Sequence, residues 1–494
     1  MSYHCHRLSK RRSTINRSPT APVHHLDDDS LLIIFSFCRP IILDESEANG
    51  LQILEGGEWN RERWWHRIIQ VCRRWRYLAL ESAFHLRLSL VCGRGTPVAD
   101  MLAHSPPAVP LIIDHFDENY RDLTAEDEEG IIFALQHRDR VRRIRLLKHI
   151  PILQKLITAL DGEFPILEFL LIEHQRRHRP VVEKIPNLNL PETFRAPNLR
   201  QLVLKNFTIS IQSPLLTTMR NLVTLLLHKI PSCAYFHPNT LHQWLSLMPQ
   251  LEILSISFNC YKPNRDVERQ LLRTPIMTRV TLPNLHRLGF RGSSAYLEAL
   301  LPWITIPLLA ELRVHFFYRM IYSIPHLRHF MVNARNIRLK TARFNFLKDL
   351  LRVTAYPHVG ARMETLQINL GGRHLNWQVV SAAQVFNTLR TVFSTVEHLI
   401  LSYDRHNVSS EWNNKADRTR WREFLGSFDN VKTLRVEYGL VKQVNRALQP
   451  DEGESPTEPL PELQELSNGG SSRASTLFVE ARQKAGRPVT LVRF

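Results

Sequence analysis

The chain has 494 residues, room for about three average domains or for one continuous repeat array. With 44% hydrophobic and 22% charged residues it has the balance of a folded polypeptide, which excludes an intrinsically disordered one. Its 64 basic residues against 47 acidic ones give a formal charge of +17, which draws anionic partners and argues against basic ones.

No stretch of about 18 uncharged apolar residues occurs. The opening MSYHCHRLSKRRSTINRSP has no apolar centre of a secretory signal. A soluble protein of the cytoplasm, the nucleus or both is therefore expected, with no membrane partner. The six cysteines (Cys5, Cys38, Cys72, Cys92, Cys233, Cys260) form no CxxC pair, which points to reduced thiols and not to a disulfide framework or a zinc ribbon. His4, Cys5 and His6 have no fourth ligand beside them, so no metal site is assigned, and residues 1–23 read as a basic tail.

In HLDDDSLLIIFSFCRP, Asp27 to Asp29 and Ser30 offer capping oxygens and negative charge to a short helix, and Pro40 follows its end. Leu31, Ile34, Phe35 and Cys38 fall on one of its faces. Residues 43–62 are rich in glycine and acids without a sustained period and read as a flexible insertion. Next comes WWHRIIQVCRRWRYLAL, residues 64–80. Trp65, Ile68, Ile69, Cys72, Trp75 and Ala79 recur there at three- and four-residue steps, while Arg67, Arg73, Arg74 and Arg76 lie mostly elsewhere. A small helical unit of this kind cannot bury Trp64, Trp65 and Trp75 together, and the surplus apolar surface suits a partner.

From about residue 86 short alternating strands appear, HLRLSLVC and VPLIIDHF, followed by TAEDEEGIIFALQH with a capping-box pattern at Thr124 and Asp127. Beyond residue 140 a motif of the form L-x-x-L-x-L recurs: RVRRIRL, ILEFLLI, NLRQLVL, NLVTLLL, QLEILSI, NLHRLGF, LLAELRV, HLRHFMV, METLQI, VEHLIL, VKTLRV and ELQEL. Between these lie segments with helical spacing, NTLHQWLSLM, SAYLEALLPWI, RFNFLKDLLRV, NWQVVSAAQVFNTLRTVF and RTRWREFLGSF.

A strand with two inward leucines cannot bury its face alone, so the fold class expected is α/β. Helices at the N-terminus precede an irregular leucine-rich-repeat solenoid with a parallel sheet on its concave face and helices outside. A globular α/β sheet is the alternative, and strand order separates the two. Pro165, Pro197, Pro249, Pro283, Pro307 and Pro325 stand just before strands. Residues 449–473 read as an acidic loop around a last strand, and ASTLFVEARQKAGRPVTLVRF as a helix, a Gly486 stop and a strand Val489 to Val492.

Leu31, Leu32, Phe35, Val71, Cys72, Arg73, Trp75, Leu78 and Ala79 follow the pattern LLxxIF, spacer, VC[RK]xWxx[LIV]A, and residues 24–86 resemble an F-box. The chain as a whole is similar to fungal, basidiomycete-type F-box proteins with degenerate leucine-rich repeats. Asp27 stands where that family has proline, and the insertion at 43–62 departs from it as well. The resemblance implies a basic tail at 1–23, an F-box at 24–86, repeats at 87–448 and a capping unit at 449–494.

It also implies a non-catalytic, substrate-recognition subunit of an SCF-type ubiquitin ligase. Leu26, Leu31, Leu32, Ile34, Phe35, Ile68, Val71, Cys72 and Trp75 would bind a Skp-type adaptor, and through it a cullin and a RING subunit, while the repeats hold a protein substrate.

Strand alternation puts Arg143 and Arg145, Thr224 and His228, Ser255 and Ser257, Arg287 and Arg291, Arg313 and His315, His329 and Asn333, Gln367 and Asn369, and Arg435 with Glu437 on the outward face. Arg287, Arg291, Arg313 and His315 are the candidate substrate site, suited to an acidic or phosphorylated segment. No Walker loop, dinucleotide glycine fingerprint, G-x-S-x-G or H-E-x-x-H is present, so no enzyme, cofactor or metal is expected. A homo-oligomer is not expected either. The competing readings are a repeat scaffold whose F-box is vestigial, and a basic nucleic-acid-binding repeat protein suggested by RRHR at 176–179 and RVRRIRLLKH at 140–149.

Overall fold

A computed structural model of the chain describes residues 26–39, 64–83, 85–115, 124–174, 190–210, 213–259, 278–317, 322–334, 336–403, 418–437, 439–449, 459–469 and 473–493. The expected tail at 1–23, the insertion at 43–62, RRHR at 176–179, part of the acidic stretch at 449–473, and the side chains of Cys5, Cys233 and Cys260 lie outside the described residues. Two compact units make up the chain: Met1–Val91 with Ala99–Ile112, and Cys92–Val98 with Ile113–Phe494. No helix among the described residues is long and apolar enough to cross a membrane.

The first unit is helical, with α1 (Asp28–Phe37), α2 (Trp65–Ile69), α3 (Arg73–Glu81) and most of α4 (Val98–Ala103). Strands β1 (Leu90–Cys92) and β2 (Leu111–His115) have residues in both units.

In the second unit, β3 (Val141–Lys148), β4 (Phe169–His174), β5 (Gln201–Lys205), β6 (Thr224–Ile230), β7 (Ile253–Phe258), β8 (Arg287–Gly292) and β9 (Glu311–Phe316) lie side by side in chain order, each parallel to the next. After β9 the order changes. Strands β10 (Thr341–Phe346) and β11 (Leu350–Tyr356) form an antiparallel hairpin, and β12 (Leu366–Gly371) pairs parallel with β9 and antiparallel with β11. The parallel array resumes from β10 through β13 (His398–Tyr403), β14 (Thr433–Val436), β15 (Glu465–Asn468) and β16 (Thr490–Arg493).

Helices α5 (Ala125–Gln136) and α6 (Ile150–Thr158) pack together, and α7 (Pro214–Thr218) follows β5. The later helices are α8 (Pro238–Ser246), α9 (Ser294–Leu300), α10 (Pro325–Asn333), α11 (Leu375–Thr388), α12 (Arg390–Phe393), α13 (Arg418–Leu425), α14 (Val441–Leu448) and α15 (Arg473–Lys484). They stack in the series α8, α9, α10, α12, α11, α13, α14, α15, so each layer touches mainly the ones beside it. This is the α/β arrangement of a large, mostly parallel sheet backed by helices.

The core is read directly from strand parity. Leu202 and Leu204, Leu225 and Leu227, Leu254 and Ile256, Leu288 and Phe290, and Leu312 and Val314 align strand to strand, and all are buried. The asparagine ahead of several motifs ties one unit to the previous one: Asn198 Nδ2 donates to the Pro165 carbonyl at 2.7 Å, Asn221 to Pro197 at 3.4 Å and Asn430 to Ser394 at 2.7 Å. Thr124 and Asp127 do form a capping box at the start of α5.

Two segments differ from the sequence expectation. HLRHFMV forms helix α10 and not a strand. Pro325 sets the helical φ of its first turn, and the Glu298 carboxylate of α9 accepts from the His326 and Leu327 amides at 2.8 and 2.9 Å, satisfying donors that a helix start leaves open. Pro325 therefore opens a helix, and His329 and Asn333 lie on it and not on the sheet. RFNFLKDLLRV, expected as a helix, is the β10–β11 hairpin. Ala342, Phe344 and Phe346 alternate with Arg343 and Asn345, and Phe344 meets Phe386 of α11 and Phe424 of α13 at 4.8 and 4.9 Å between ring centroids. That burial, about 2–3 kcal/mol for one phenylalanine, favours the period of two over the competing three-residue spacing of Phe344, Leu347 and Leu350.

The last unit is held by an interior cation. Arg482 of α15 is 1% exposed, and its Nη2 donates to the carbonyls of Leu460 and Pro461 at 2.9 and 3.2 Å. Leu460 carries a φ of 57°, a left-handed conformation that a branched residue adopts at a cost of about 1–2 kcal/mol. The guanidinium bond to its carbonyl offsets this. The helix ends as expected at Gly486, whose φ of 74° suits glycine. Arg482→Leu is expected to leave these carbonyls unpaired and to lower stability by about 2 kcal/mol, read as a lower denaturation midpoint with earliest proteolysis after residue 448.

Candidate functional site

Two surfaces collect the residues singled out in the sequence. The first belongs to the helical unit. Asp27 caps α1, its Oδ1 accepting from the Ser30 amide at 2.6 Å, with Asp28 and Asp29 adding negative charge to the first turn. That bond holds the Asp27 carboxyl below its usual range. Cys72 caps α3 in the same way, its Sγ accepting from the Trp75 amide at 3.5 Å. Arg74 joins the two helix starts, donating to Asp28 Oδ1 at 2.7 Å and to the Leu26 carbonyl at 2.6 Å. Phe35 of α1 meets Trp75 of α3 edge to face at 4.9 Å.

This geometry divides the nine residues expected to face an adaptor. Leu31, Phe35 and Ile68 are buried inside the unit and hold its helices together. Leu26, Leu32, Cys72 and Trp75 are partly exposed, and Ile34 and Val71 are open to solvent. Of the three tryptophans, Trp65 is buried, its Nε1 donating to the Ser89 carbonyl at 3.1 Å, while Trp64 and Trp75 remain partly exposed. The sequence reading missed Ile33 and Phe37, which are 56% and 83% exposed on the outer side of α1, and Tyr77 of α3 at 69%. The signal was there: in DDSLLIIFSF the apolar residues occupy every side of the helix, and one helix face cannot bury them all.

The second surface is the outward face of the sheet. Parity holds on β8 and β9: Leu288, Phe290, Leu312, Val314 and Phe316 are buried, while Arg287, Arg291, Arg313 and His315 are partly exposed on the other face. Glu311, two residues before Arg313 and on the same face, was missed. Its Oε2 accepts from Arg287 Nε at 2.6 Å, its Oε1 pairs with Arg313, and Arg313 Nη2 reaches Glu364 Oε1 at 3.4 Å. Arg287 and Arg313, expected to take an acidic or phosphorylated segment, already have carboxylate partners within the chain, which corrects that expectation for these two residues. Burial, with repulsion from Glu311, outweighs the pull of Arg313 and pushes the Glu364 carboxyl up.

His315 is directly paired in register with Arg291 on one side and Asn369 on the other. Burial, then Arg291 and Arg352, bring its imidazole down to about 4. His228 is likewise brought to about 4 by burial and by Lys205 and Lys229, and its Nε2 lies 2.9 Å from Ser255 Oγ. Gly289 stands opposite Ser255, where a Cβ would meet that hydroxyl at 2.7 Å, so the missing side chain makes room for the pair. Towards the first strands the same face is more closed: Arg145, Val203, Lys205 and Thr224 are buried, Lys205 pairs with Glu173 at 3.4 Å, and Arg143 lies 5.0 Å over the Phe169 ring.

No family model and no curated protein matches the chain. Among solved structures it is similar to the leucine-rich repeat-containing protein LegL7 from Legionella pneumophila, at 11% identity over 81% of this chain and 98% of that one, with a TM-score of 0.24. At that score the likeness carries nothing about partners or activity.

Two outcomes follow from this geometry. Glu311→Gln leaves Arg287 and Arg313 facing each other without their carboxylate, and is expected to cost about 3 kcal/mol in a denaturant titration, part of which Arg287→Gln restores in the double variant. His228 and His315 have folded values near 4 against an ordinary 6.5, so the stability they contribute is present above about pH 6.5 and is lost as pH falls towards 4. The thermal midpoint is expected to drop between pH 7 and pH 4.5, and to drop less in His228→Gln and His315→Gln; equal drops in all three proteins would contradict the assignment.

Proposed function

We propose that the chain is the substrate-recognition subunit of an SCF-type ubiquitin ligase. Its N-terminal helices dock on a Skp-type adaptor, linked in turn to a cullin and a RING subunit, and its repeats present a protein substrate. The observation that carries this reading is the set of exposed apolar side chains on the unit that contains the LLxxIF and VCRRWRYLA segments: Ile33, Ile34 and Phe37 of α1, Val71 in the turn ahead of α3, and Tyr77 of α3. Exposed aromatic and aliphatic side chains gathered on one small unit mark a partner surface. The departure at Asp27 does not weaken the helix start, because its carboxylate supplies the cap.

The nucleic-acid reading finds less support, because Arg142, Arg287, Arg313, Lys340, Arg390 and Lys432 are ion-paired with the chain's own carboxylates. A groove that tracks a phosphate backbone needs its cations available.

Phe35 and Trp75 pack on each other, so replacing them tests folding together with docking. Ile34→Asp with Phe37→Asp and Val71→Asp changes exposed positions and leaves the helix contacts in place. Each lost anchor is worth about 2 kcal/mol, roughly thirtyfold in affinity. The triple variant is expected to lose co-purifying adaptor and cullin while keeping the parent melting temperature, and undiminished recovery of the adaptor would refute the proposal.

A further inference from the structure

The hairpin that interrupts the parallel array brings two arginines to the outward face of the sheet. Arg343 of β10 and Arg352 of β11 are both exposed. They lie on one side of an antiparallel pair whose register sets Arg343 opposite Thr354 and Asn345 opposite Arg352. The two arginines are thus diagonal neighbours, with Cα atoms about 7 Å apart, within reach of a shared ligand.

Their surroundings differ from those of Arg287 and Arg313, which hold a carboxylate between them. Across the adjoining strands, Arg343 is opposite Ile400 and Arg352 is opposite Asn369. Every residue directly facing either arginine is uncharged, namely Thr354, Ile400, Asn345 and Asn369. Arg352 also acts on Glu364, a carboxylate that is shared with Arg313, whose Nη2 reaches it at 3.4 Å. Two like charges side by side are unfavourable until an anion joins them.

From this arrangement we propose that Arg343 and Arg352, with the side-chain amides of Asn345 and Asn369, bind a phosphate monoester carried on an extended protein segment. Two guanidinium forks supply about two positive charges, which matches the −1.5 to −2 of a phosphorylated side chain at pH 7 better than the single charge of a carboxylate or of one nucleic-acid phosphodiester. Guanidinium geometry allows bidentate contacts to such a group, and the amides add neutral donors beside it. The inference deepens the reading of the repeats as the substrate surface by naming the class of substrate, and moves the site from β8 and β9 to the hairpin.

The test uses the full chain and a fluorescent degenerate peptide pool with a fixed central phosphoserine, compared with the same pool carrying serine or glutamate. Anisotropy is expected to show binding of the phosphoserine pool at least about tenfold tighter than either control, since each charge-assisted contact is worth that much or more. Arg343→Gln and Arg352→Gln, both at exposed positions, should each remove most of the difference at an unchanged melting temperature, whereas Arg287→Gln should leave it. Equal binding of the three pools, glutamate binding as tight as phosphoserine, or a preference that survives both substitutions would overturn the proposal. So would displacement of the phosphopeptide by a uridine decamer at lower concentration. Adaptor co-purification, measured on the same preparations, is independent of these arms, so failure here leaves the docking of the helical unit standing.

Discussion

No strand of the second unit can close its own apolar face. Each contributes two or three inward side chains, such as Leu202 and Leu204 or Leu312, Val314 and Phe316, and these are removed from water only when the next strand brings its own into register. Stacking of neighbour on neighbour is therefore the constraint from which the rest follows. It fixes the parallel order, because a strand that leaves by a helix and returns beside the previous one must run the same way. It also fixes which side chains remain for function, because parity sends every second residue to the face without helices.

On that outward face the same stacking creates an electrostatic demand. Strands about 4.8 Å apart bring side chains of equal register close together, so a charge on one strand must be answered on the next or left for a ligand. Arg287, Glu311, Arg313 and Glu364 answer one another across β8 and β9 and the residues that lead into β12. Lys205 and Glu173 do so further back, and His228 and His315 respond by remaining neutral among cations. A formal charge of +17 is thus no measure of available positive charge on this surface. Availability is set locally by register.

Much of this architecture was legible in the sequence, because leucine spacing reports parity directly: the strands at NLRQLVL, NLVTLLL, QLEILSI and NLHRLGF, the capping box at Thr124 and Asp127, and the stop at Gly486 all stand where the pattern puts them. The two failures have separate causes. HLRHFMV carries the motif's leucine spacing, but a proline ahead of it and a carboxylate from the preceding helix favour a helix start, and Glu298 is too distant in sequence to be foreseen. RFNFLKDLLRV satisfies both periods at once, and only the position of Phe344 against two later helices decides between them. The outward arginines were read correctly as outward, yet their partner Glu311 was overlooked although parity alone places it beside Arg313.

The helical unit illustrates the opposite balance of local and distant information. Its caps are short-range, Asp27 to Ser30 and Cys72 to Trp75, and the segments announce them. Which apolar residues close the unit and which stay outside depends on long-range contacts, above all that of Phe35 with Trp75 across forty residues of sequence. Once that contact is made, Leu31 must follow Phe35 inward, since residues four apart share a helix face, and Ile33, Ile34 and Phe37 are turned outward by the same 3.6-residue period. An α-helix of this length, apolar all round and only half covered, keeps its exposed side at a cost in solubility that a docking role accounts for. The hairpin follows the same logic in the sheet. By placing two strands where the array elsewhere has one strand and one helix, it adds outward residues with no carboxylate directly facing them in register among the described residues, and so brings Arg343 and Arg352 together where the repeating order is broken.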